Sequence, residues 1–118
     1  MSSRSFDSYV AGVTFNNSDG SARQAYIRKF VKAGMPATLK REPDNKHDPN
    51  AIAVWVTATF LFGLIREEIQ IGYLPADLAQ ELAGPVSSGG RISATVSETE
   101  PFGEDGQIGV RLRITRSA

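Results

Sequence analysis

The sequence predicts a mainly β (α+β) fold, a small six-stranded antiparallel barrel with two short helices, and three features predict it. Residues 92–96 and 108–114 alternate apolar and polar side chains with the period of two that is typical of half-buried strands. Residues 37–41 and 51–56 have strand composition and flank a polar loop rich in turn-forming residues. A chain of 118 residues suits one modest core. We therefore expect one domain over residues 1–118.

The first third of the chain is expected to contain one strand and one helix. Residues 1–6 are expected to form a disordered tail, and residues 9–13 the first strand. Ser21 is a suitable N-cap for a helix over residues 22–32, in which apolar side chains recur at helical spacing. This helix is predicted to be scaffold.

The middle of the chain adds the strands at 37–41 and 51–56, then a strand over residues 69–74. Between the last two lies the apolar run 58–65, which is expected to form an extended hairpin whose tip packs on the same chain or on a second copy.

A second helix and a late loop complete the predicted elements. Pro75 at a first helical position and Asp77 in the first turn predict a short helix that runs through Leu82 and ends at Gly84. The loop between the last two strands carries a single aromatic residue, Phe102, in a polar setting.

Several short motifs occur in a characteristic order along the chain. They are Gly-Val-Thr-Phe at 12–15, Arg-Glu-Pro-Asp-Asn at 41–45, Asp-Pro-Asn-Ala-Ile-Ala-Val at 48–54, Ile-Gly-Tyr-Leu-Pro at 71–75 and Pro-Phe-Gly at 101–103. Together they resemble the HIRAN domain, a small DNA-binding module of helicase-like DNA-repair ATPases that also occurs as free-standing bacterial proteins. The resemblance covers nearly the whole chain. It implies an OB-like barrel that binds single-stranded DNA 3′ ends in repair or processing, without catalysis or a cofactor.

The resemblance implies that the DNA end is recognised by the central loop, which joins the predicted strands at 37–41 and 51–56. Asp48 falls at the position of the acidic residue that accepts a hydrogen bond from the terminal 3′-OH. A carboxylate suits this role, because a hydroxyl group donates to it whereas a continuing phosphate repels it. An Asx turn in which Asp48 bonds the backbone near Asn50 is the alternative, and both can hold at once. Tyr73 is expected to read the hydroxyl and the neighbouring sugar.

Three rings and two cations complete the expected nucleic-acid-binding set. Phe15, His47 and Phe102 are expected to stack on bases, which is worth roughly 1–3 kcal/mol per base at any sequence. Phe15 is alternatively a core aromatic residue, and His47 an exposed loop residue. Arg41 and Lys46 flank the loop and are the expected phosphate partners.

Some positions of the chain depart from the HIRAN pattern by lacking a basic residue. Thr14 and Ala76 stand where DNA-binding relatives carry basic residues, which lowers the expected affinity. The polar side of the first helix is either a phosphate-facing patch or an ordinary solvated face; its residues are Arg23, Arg28, Lys29 and Lys32.

Composition excludes several classes of function. With 13 basic and 13 acidic residues the formal charge is zero, which argues against a strong nonspecific grip on duplex DNA. The chain has no cysteine for disulfides or a Cys-based zinc site, and no phosphate-binding Gly-x-x-x-x-Gly-Lys motif. No stretch approaches the ~20 apolar residues of a membrane helix. A cytoplasmic protein that is not an enzyme is expected, with a helicase or nuclease as a possible partner.

Two other functions stay open from the sequence. The residues Glu42, Asp44, His47 and Asp48 form an acidic cluster with one imidazole, which suggests a metal-dependent nuclease, although their spacing fits no Ca²⁺ loop and the adjacent prolines restrict the backbone. The apolar hairpin at 58–65 suggests a protein-docking module or a weak homodimer.

Overall fold

Six antiparallel strands and two helices make up the computed structural model, which describes residues 3–117. The strands are β1 (Ser3–Tyr9), β2 (Pro36–Arg41), β3 (Ile52–Phe60), β4 (Ile65–Tyr73), β5 (Ile92–Phe102) and β6 (Gln107–Ser117). The helices are α1 (Arg23–Phe30) and α2 (Ala76–Ser87). The predicted class, a mainly β, OB-like barrel with two short helices, is confirmed.

The sheet has the order β1-β6-β5-β2-β3-β4, and its two edges meet at one point. Ala11, just after β1, pairs with Tyr73 at the end of β4. The Ala11 N–H donates to the Tyr73 carbonyl at 2.7 Å, and the Tyr73 N–H donates to the Ala11 carbonyl at 2.9 Å. We call this pair the seam. It brings the two sheet edges together at one isolated bridge, so the barrel is OB-like but not closed, and on the other side β2 and β5 share only two register pairs.

Gly72 permits the close approach at the seam. A Cβ on this residue would lie 2.6 Å from Cγ1 of Val10 and even nearer to the carbonyl oxygen of Ala11. Only glycine lets the two edges come this close.

The core fills the inside of this barrel with aliphatic side chains. Alternate residues of the strands point inward, which follows from the two-residue period of a strand. The largest side chains that are fully buried are Ile27, Ile52, Ile71, Leu82, Leu112, Ile114, Val54, Val56 and Val96. Helices α1 and α2 thus contribute Ile27 and Leu82 to the same core.

The N-terminal predictions need correction. Residues 3–6, expected in a disordered tail, belong to β1, which pairs with β6 in register from Ser3 to Tyr9. Residues 1 and 2 lie outside the described residues, as does residue 118. The predicted strand over 9–13 is wrong beyond Tyr9, because a left-handed Gly12 turns the chain.

The predicted helix limits were also partly wrong. Helix α1 begins after Ala22, and Ser21 does not cap it, because the Ser21 hydroxyl donates to Asp19 instead. Helix α2 continues through Pro85 to Ser87 rather than ending near Leu82. Its apolar stripe extends to Val86, which packs against the core, and this burial offsets the hydrogen bond that Pro85 cannot donate.

The apolar run 58–65 forms the outer part of a long β3–β4 hairpin. Strand pairing continues to Phe60 and Ile65, and the turn between them is wholly exposed. Only the base of this ribbon pairs with β2, up to Trp55. Farther out, Ala58 is buried and the Phe60 ring lies 5.0 Å from the Phe30 ring of α1, so only the tip beyond Phe60 is free of the rest of the fold. Within residues 3–117, no helix is long and apolar enough to span a membrane.

Candidate functional site

A cleft of about 630 Å³ opens beside the seam. Its walls are the segment after β1, the central loop between β2 and β3, and the junction of β4 with α2. The lining residues are Ala11, Gly12, Phe15, Asn16, Arg23, Asn45, His47, Asp48, Ala51, Tyr73, Leu74 and Ala76. Four of the seven predicted nucleic-acid-binding residues thus meet here: Phe15, His47, Asp48 and Tyr73.

Asn45 holds the central loop in shape. Its Oδ1 accepts hydrogen bonds from the backbone N–H groups of His47 at 2.9 Å and Asp48 at 3.1 Å. Its Nδ2 donates to Oε1 of Glu42 at 3.1 Å. The Asn45 side chain therefore forms an Asx-type turn, which fixes the positions of His47 and Asp48 beside the cleft.

Asp48 also makes the Asx turn expected as its alternative role. Its Oδ1 accepts from the backbone N–H of Asn50 at 2.9 Å. This bond uses part of the acceptor capacity of one oxygen and leaves Oδ2 without a hydrogen bond among residues 3–117. A carboxylate can satisfy the turn and a ligand hydroxyl at the same time.

Tyr73 connects the loop to the barrel. Its hydroxyl donates to Glu42 Oε1 at 2.8 Å, so a chain of hydrogen bonds runs from Tyr73 through Glu42 to Asn45. Burial raises the pKa of the Tyr73 hydroxyl, and the Glu42 carboxylate beside it acts in the same direction. The hydroxyl therefore keeps its proton and stays a donor at neutral pH.

Arg23 forms part of the cleft wall, although it was expected on the polar side of α1. Only 6% of its surface is exposed. Its Nε donates to Asn17 Oδ1 at 2.8 Å, and its Nη1 donates to the Gly12 carbonyl at 2.9 Å. The guanidinium carbon lies 5.3 Å from the centre of the Tyr73 ring. The other basic residues of that side, Arg28, Lys29 and Lys32, are exposed as a solvated face would be.

The two loop aromatics predicted to stack are accessible. Phe15 is 70% exposed, so it is not a core residue. His47 is likewise exposed and lines the same cleft. Both rings are therefore available to a flat group that enters the cleft.

Three of the predicted binding residues, Arg41, Lys46 and Phe102, lie outside the cleft lining. Lys46 is exposed on the loop. Phe102, at the end of β5, lines a separate groove of about 220 Å³. The groove and the cleft lie on either side of the segment after β1: Val10 and Val13 line the groove, whereas Ala11 and Gly12 line the cleft.

Arg41 connects the central loop to helix α2. Its Nη2 donates to the Pro49 carbonyl at 2.8 Å, and its Nη1 donates to the Ser87 hydroxyl. These bonds hold the loop against the end of α2. The structure thus gives Arg41 a structural task that its position beside the loop did not indicate.

The acidic cluster does not converge as a metal site. In the described part of the chain, no group of three or more His, Asp or Glu side chains is placed to hold a metal ion. Glu42 instead accepts hydrogen bonds from Tyr73 and Asn45.

Two residues of this site were not among the predicted binding residues. Asn45 appeared only within the Arg-Glu-Pro-Asp-Asn motif, and Arg23 only as one of four residues that form either a phosphate-facing patch or a solvated face. The Arg-Glu-Pro-Asp-Asn motif was the available signal for Asn45. The sequence held no comparable signal for Arg23, because its acceptors lie on loop residues whose placement depends on the fold.

Comparison with protein families decides the classification. The family model of the HIRAN domain matches residues 3–115. The chain belongs to the HIRAN domain family. HIRAN domains are DNA-binding modules, so this chain carries a DNA-binding domain. No curated protein matches the chain at a significant level.

Two solved structures share the fold of this HIRAN domain. The crystal structure of the HIRAN domain of human HLTF matches with a TM-score of 0.61 and 24% identity, over 95% of this chain and 74% of that one. The crystal structure of a protein from Lactobacillus plantarum matches with a TM-score of 0.61 and 20% identity, over 98% of this chain and 100% of that one. At these identities the likeness concerns the fold.

Proposed function

We propose that this HIRAN domain binds the 3′ end of single-stranded DNA in the cleft, without catalysis, in DNA repair or processing. The observation that carries the proposal is the meeting of two exposed rings, a carboxylate and a tyrosine around one cleft beside the seam. These side chains come from three separate parts of the sequence. A cleft with a few convergent polar groups is the usual form of a ligand site.

The chemistry of the walls suits a terminal nucleotide. Phe15 and His47 offer rings to its base, and stacking tolerates any base. Asp48 presents an acceptor to a terminal hydroxyl, and its charge disfavours a strand that continues through a phosphate. Tyr73 donates to Glu42, so it contributes mainly the face of its ring and the position of the loop.

The residues outside the cleft have secondary roles in this proposal. Lys46 is exposed on the rim of the loop and would contact the strand through a phosphate. Phe102 lies in the neighbouring groove and would meet a base farther from the end. Arg41 acts by holding the loop. A cytoplasmic setting and a helicase or nuclease partner complete the proposal.

The test compares a short labelled strand that ends in a 3′-OH with the same strand ending in a 3′-phosphate, by fluorescence anisotropy at two salt concentrations. Wild-type protein is expected to prefer the hydroxyl strand by about tenfold to a hundredfold, because a hydrogen bond to a charged group is worth about 1.5–3 kcal/mol. Asp48→Asn should remove the preference while retaining the Asx turn, since its side-chain oxygen still accepts from Asn50.

Asp44→Asn is the matched control, because Asp44 is an exposed residue of the same loop. It removes the same charge and should leave the preference unchanged. Equal binding of the two strands by wild-type protein would contradict 3′-end recognition.

A second candidate function, homodimerisation, is favoured by the tip of the β3–β4 hairpin. Phe62 is wholly exposed, at 108%, and its neighbours Leu61, Leu64 and Ile65 are exposed as well. Leu61 and Phe62 have φ values of 50° and 57°, a strained conformation for bulky side chains. The turn therefore holds apolar groups in water at a conformational cost, which is typical of a surface that meets a partner.

A second copy of the chain is the occupant that we propose for the tip. A specific interface buries at least about 1,000 Å² in total, so two tips would have to bury their exposed apolar side chains against each other almost completely. Arg66 and the acidic residue beside it, Glu67, are exposed next to the tip, so a two-fold arrangement can place opposite charges face to face.

Sedimentation over a range of concentrations tests the dimer. Wild-type protein is expected to associate weakly, and Phe62→Asp should make it monomeric because a buried unpaired charge opposes the contact. Thr59→Asp adds the same charge to an exposed position of the ribbon outside the tip and should leave association intact. A wild-type protein that remains monomeric at all concentrations would eliminate this role.

A further inference from the structure

The buried charge of Arg23 lacks an anionic partner among the described residues. None of the ion pairs within residues 3–117 includes Arg23, although the residue is 6% exposed. The acceptors that it does reach, on Asn17 and Gly12, are neutral. A buried charge without a counter-charge is costly, so a fold that retains one usually has a use for it.

The guanidinium retains donors for a ligand in the cleft. Nε and Nη1 are used by Asn17 and Gly12, whereas Nη2 makes no hydrogen bond to any residue of the described chain. Arg23 lines the cleft, so Nη2 is the group that a ligand would meet. Guanidinium groups bind phosphate oxygens through two parallel N–H donors.

The surroundings fix Arg23 in place rather than leaving it mobile. Gly12 has a left-handed φ of 73°, and a Cβ there would lie 3.1 Å from Nη1 of Arg23. The Tyr73 ring lies against the guanidinium, and Asn17 itself is anchored by Nδ2, which donates to the Gln70 carbonyl at 3.0 Å. Such a preorganised donor loses little freedom when a ligand binds.

The cleft therefore has opposite charges on two walls. Among the described residues, Arg23 is the single lysine or arginine in its lining and Asp48 the single acidic residue, and the two are not within ion-pair distance. A terminal nucleotide has the same polarity, with a phosphodiester on the 5′ side of its sugar and a hydroxyl on the 3′ side.

We infer that Arg23 binds the phosphodiester on the 5′ side of the terminal nucleotide, and so gives the cleft its direction along the strand. This inference deepens the proposed function and rests on it for the identity of the strand. The inference explains how a chain of zero net charge could bind a polyanion such as DNA. One rigid, buried arginine would do so in place of a basic surface.

The direct test changes the ligand and leaves the protein intact. A strand with a neutral methylphosphonate at its last internucleotide linkage is expected to bind wild-type protein at least tenfold more weakly than the natural strand. The same change placed six linkages from the end should have little effect. Equal affinity for the natural strand and the strand modified at the end would overturn the inference.

A double-mutant cycle connects the effect to Arg23. Arg23→Gln should weaken binding of the natural strand at least tenfold and should remove the difference between the natural and modified strands. Lys29→Gln, an exposed residue of the same helix, is the matched control and should retain the difference. If Arg23→Gln still distinguished the two strands, the phosphate would be bound elsewhere.

Inorganic phosphate separates failure of this inference from failure of the proposed function. If no strand binds but phosphate raises the melting temperature of wild-type protein and not of Arg23→Gln, Arg23 is an anion site and 3′-end binding is wrong. If no strand binds and phosphate has no effect on wild-type protein, the inference about Arg23 is wrong as well.

Discussion

Gly72→Ala is expected to destabilise the protein by about 3 kcal/mol or more, the upper end of the cost of overpacking and a large part of the 5–15 kcal/mol typical of a small domain. The new methyl group would collide with the Ala11 carbonyl and with Val10, which is itself buried. The Ala11 carbonyl cannot move away without losing its hydrogen bond from Tyr73. The substitution therefore forces the seam apart.

Urea denaturation followed by circular dichroism would measure this effect. Gly84→Ala is the control, because Gly84 lies in α2 and a Cβ there meets nothing within 4 Å. That change should be neutral or stabilise the helix by about 0.5–1 kcal/mol. If Gly72→Ala were as stable as wild type, the two edges of the sheet would not be in the contact described.

Asn45→Ala is expected to lower DNA affinity at least tenfold while costing about 1–3 kcal/mol of stability. The substitution removes two acceptor contacts that hold His47 and Asp48, and the donor contact to Glu42. Without them, the stacking ring and the carboxylate of the loop lose their fixed positions, although neither is deleted.

Anisotropy and urea denaturation on the same preparation would separate the two effects. Asn50→Ala is the matched control, since the Asn50 side chain makes no hydrogen bond within residues 3–117 and only its backbone N–H is used. It should bind like wild type. Unchanged affinity in a folded Asn45→Ala protein would show that the loop does not position the ligand.

The strands and the central loop could be predicted because their signals are local. Alternation of apolar residues indicated β5 and β6, and the density of turn-forming residues indicated the loop that carries His47 and Asp48. The motifs then assigned Phe15, Asp48 and Tyr73 to one binding site by resemblance, and the structure places all three in the lining of one cleft.

The tasks of the two arginines could not be predicted, because each depends on residues distant in sequence or on loop backbone. Arg41 reaches Ser87, 46 positions away, and a basic residue beside a loop looks the same whether it meets a phosphate or a helix end. Arg23 occupies a polar position of α1, where the helical period predicts exposure. Its burial follows from the path of the segment that contains Gly12 and Asn17.

The limits of α2 were missed for a similar reason. Pro85 is a strong local signal for the end of a helix, but Val86 gains contacts with the core that no local pattern reveals. Tertiary packing thus outweighs a local preference at this point.

The seam couples the contact between the two sheet edges to the binding of a ligand. Ala11 and Tyr73 donate the two hydrogen bonds that join the sheet edges, and both residues also line the cleft. A ligand that contacts both Ala11 and Tyr73 would hold the two sheet edges together at the seam. The free energy of binding would therefore add to the free energy needed to separate the two sheet edges. Conversely, a substitution that destabilises the seam would lower the affinity for the ligand.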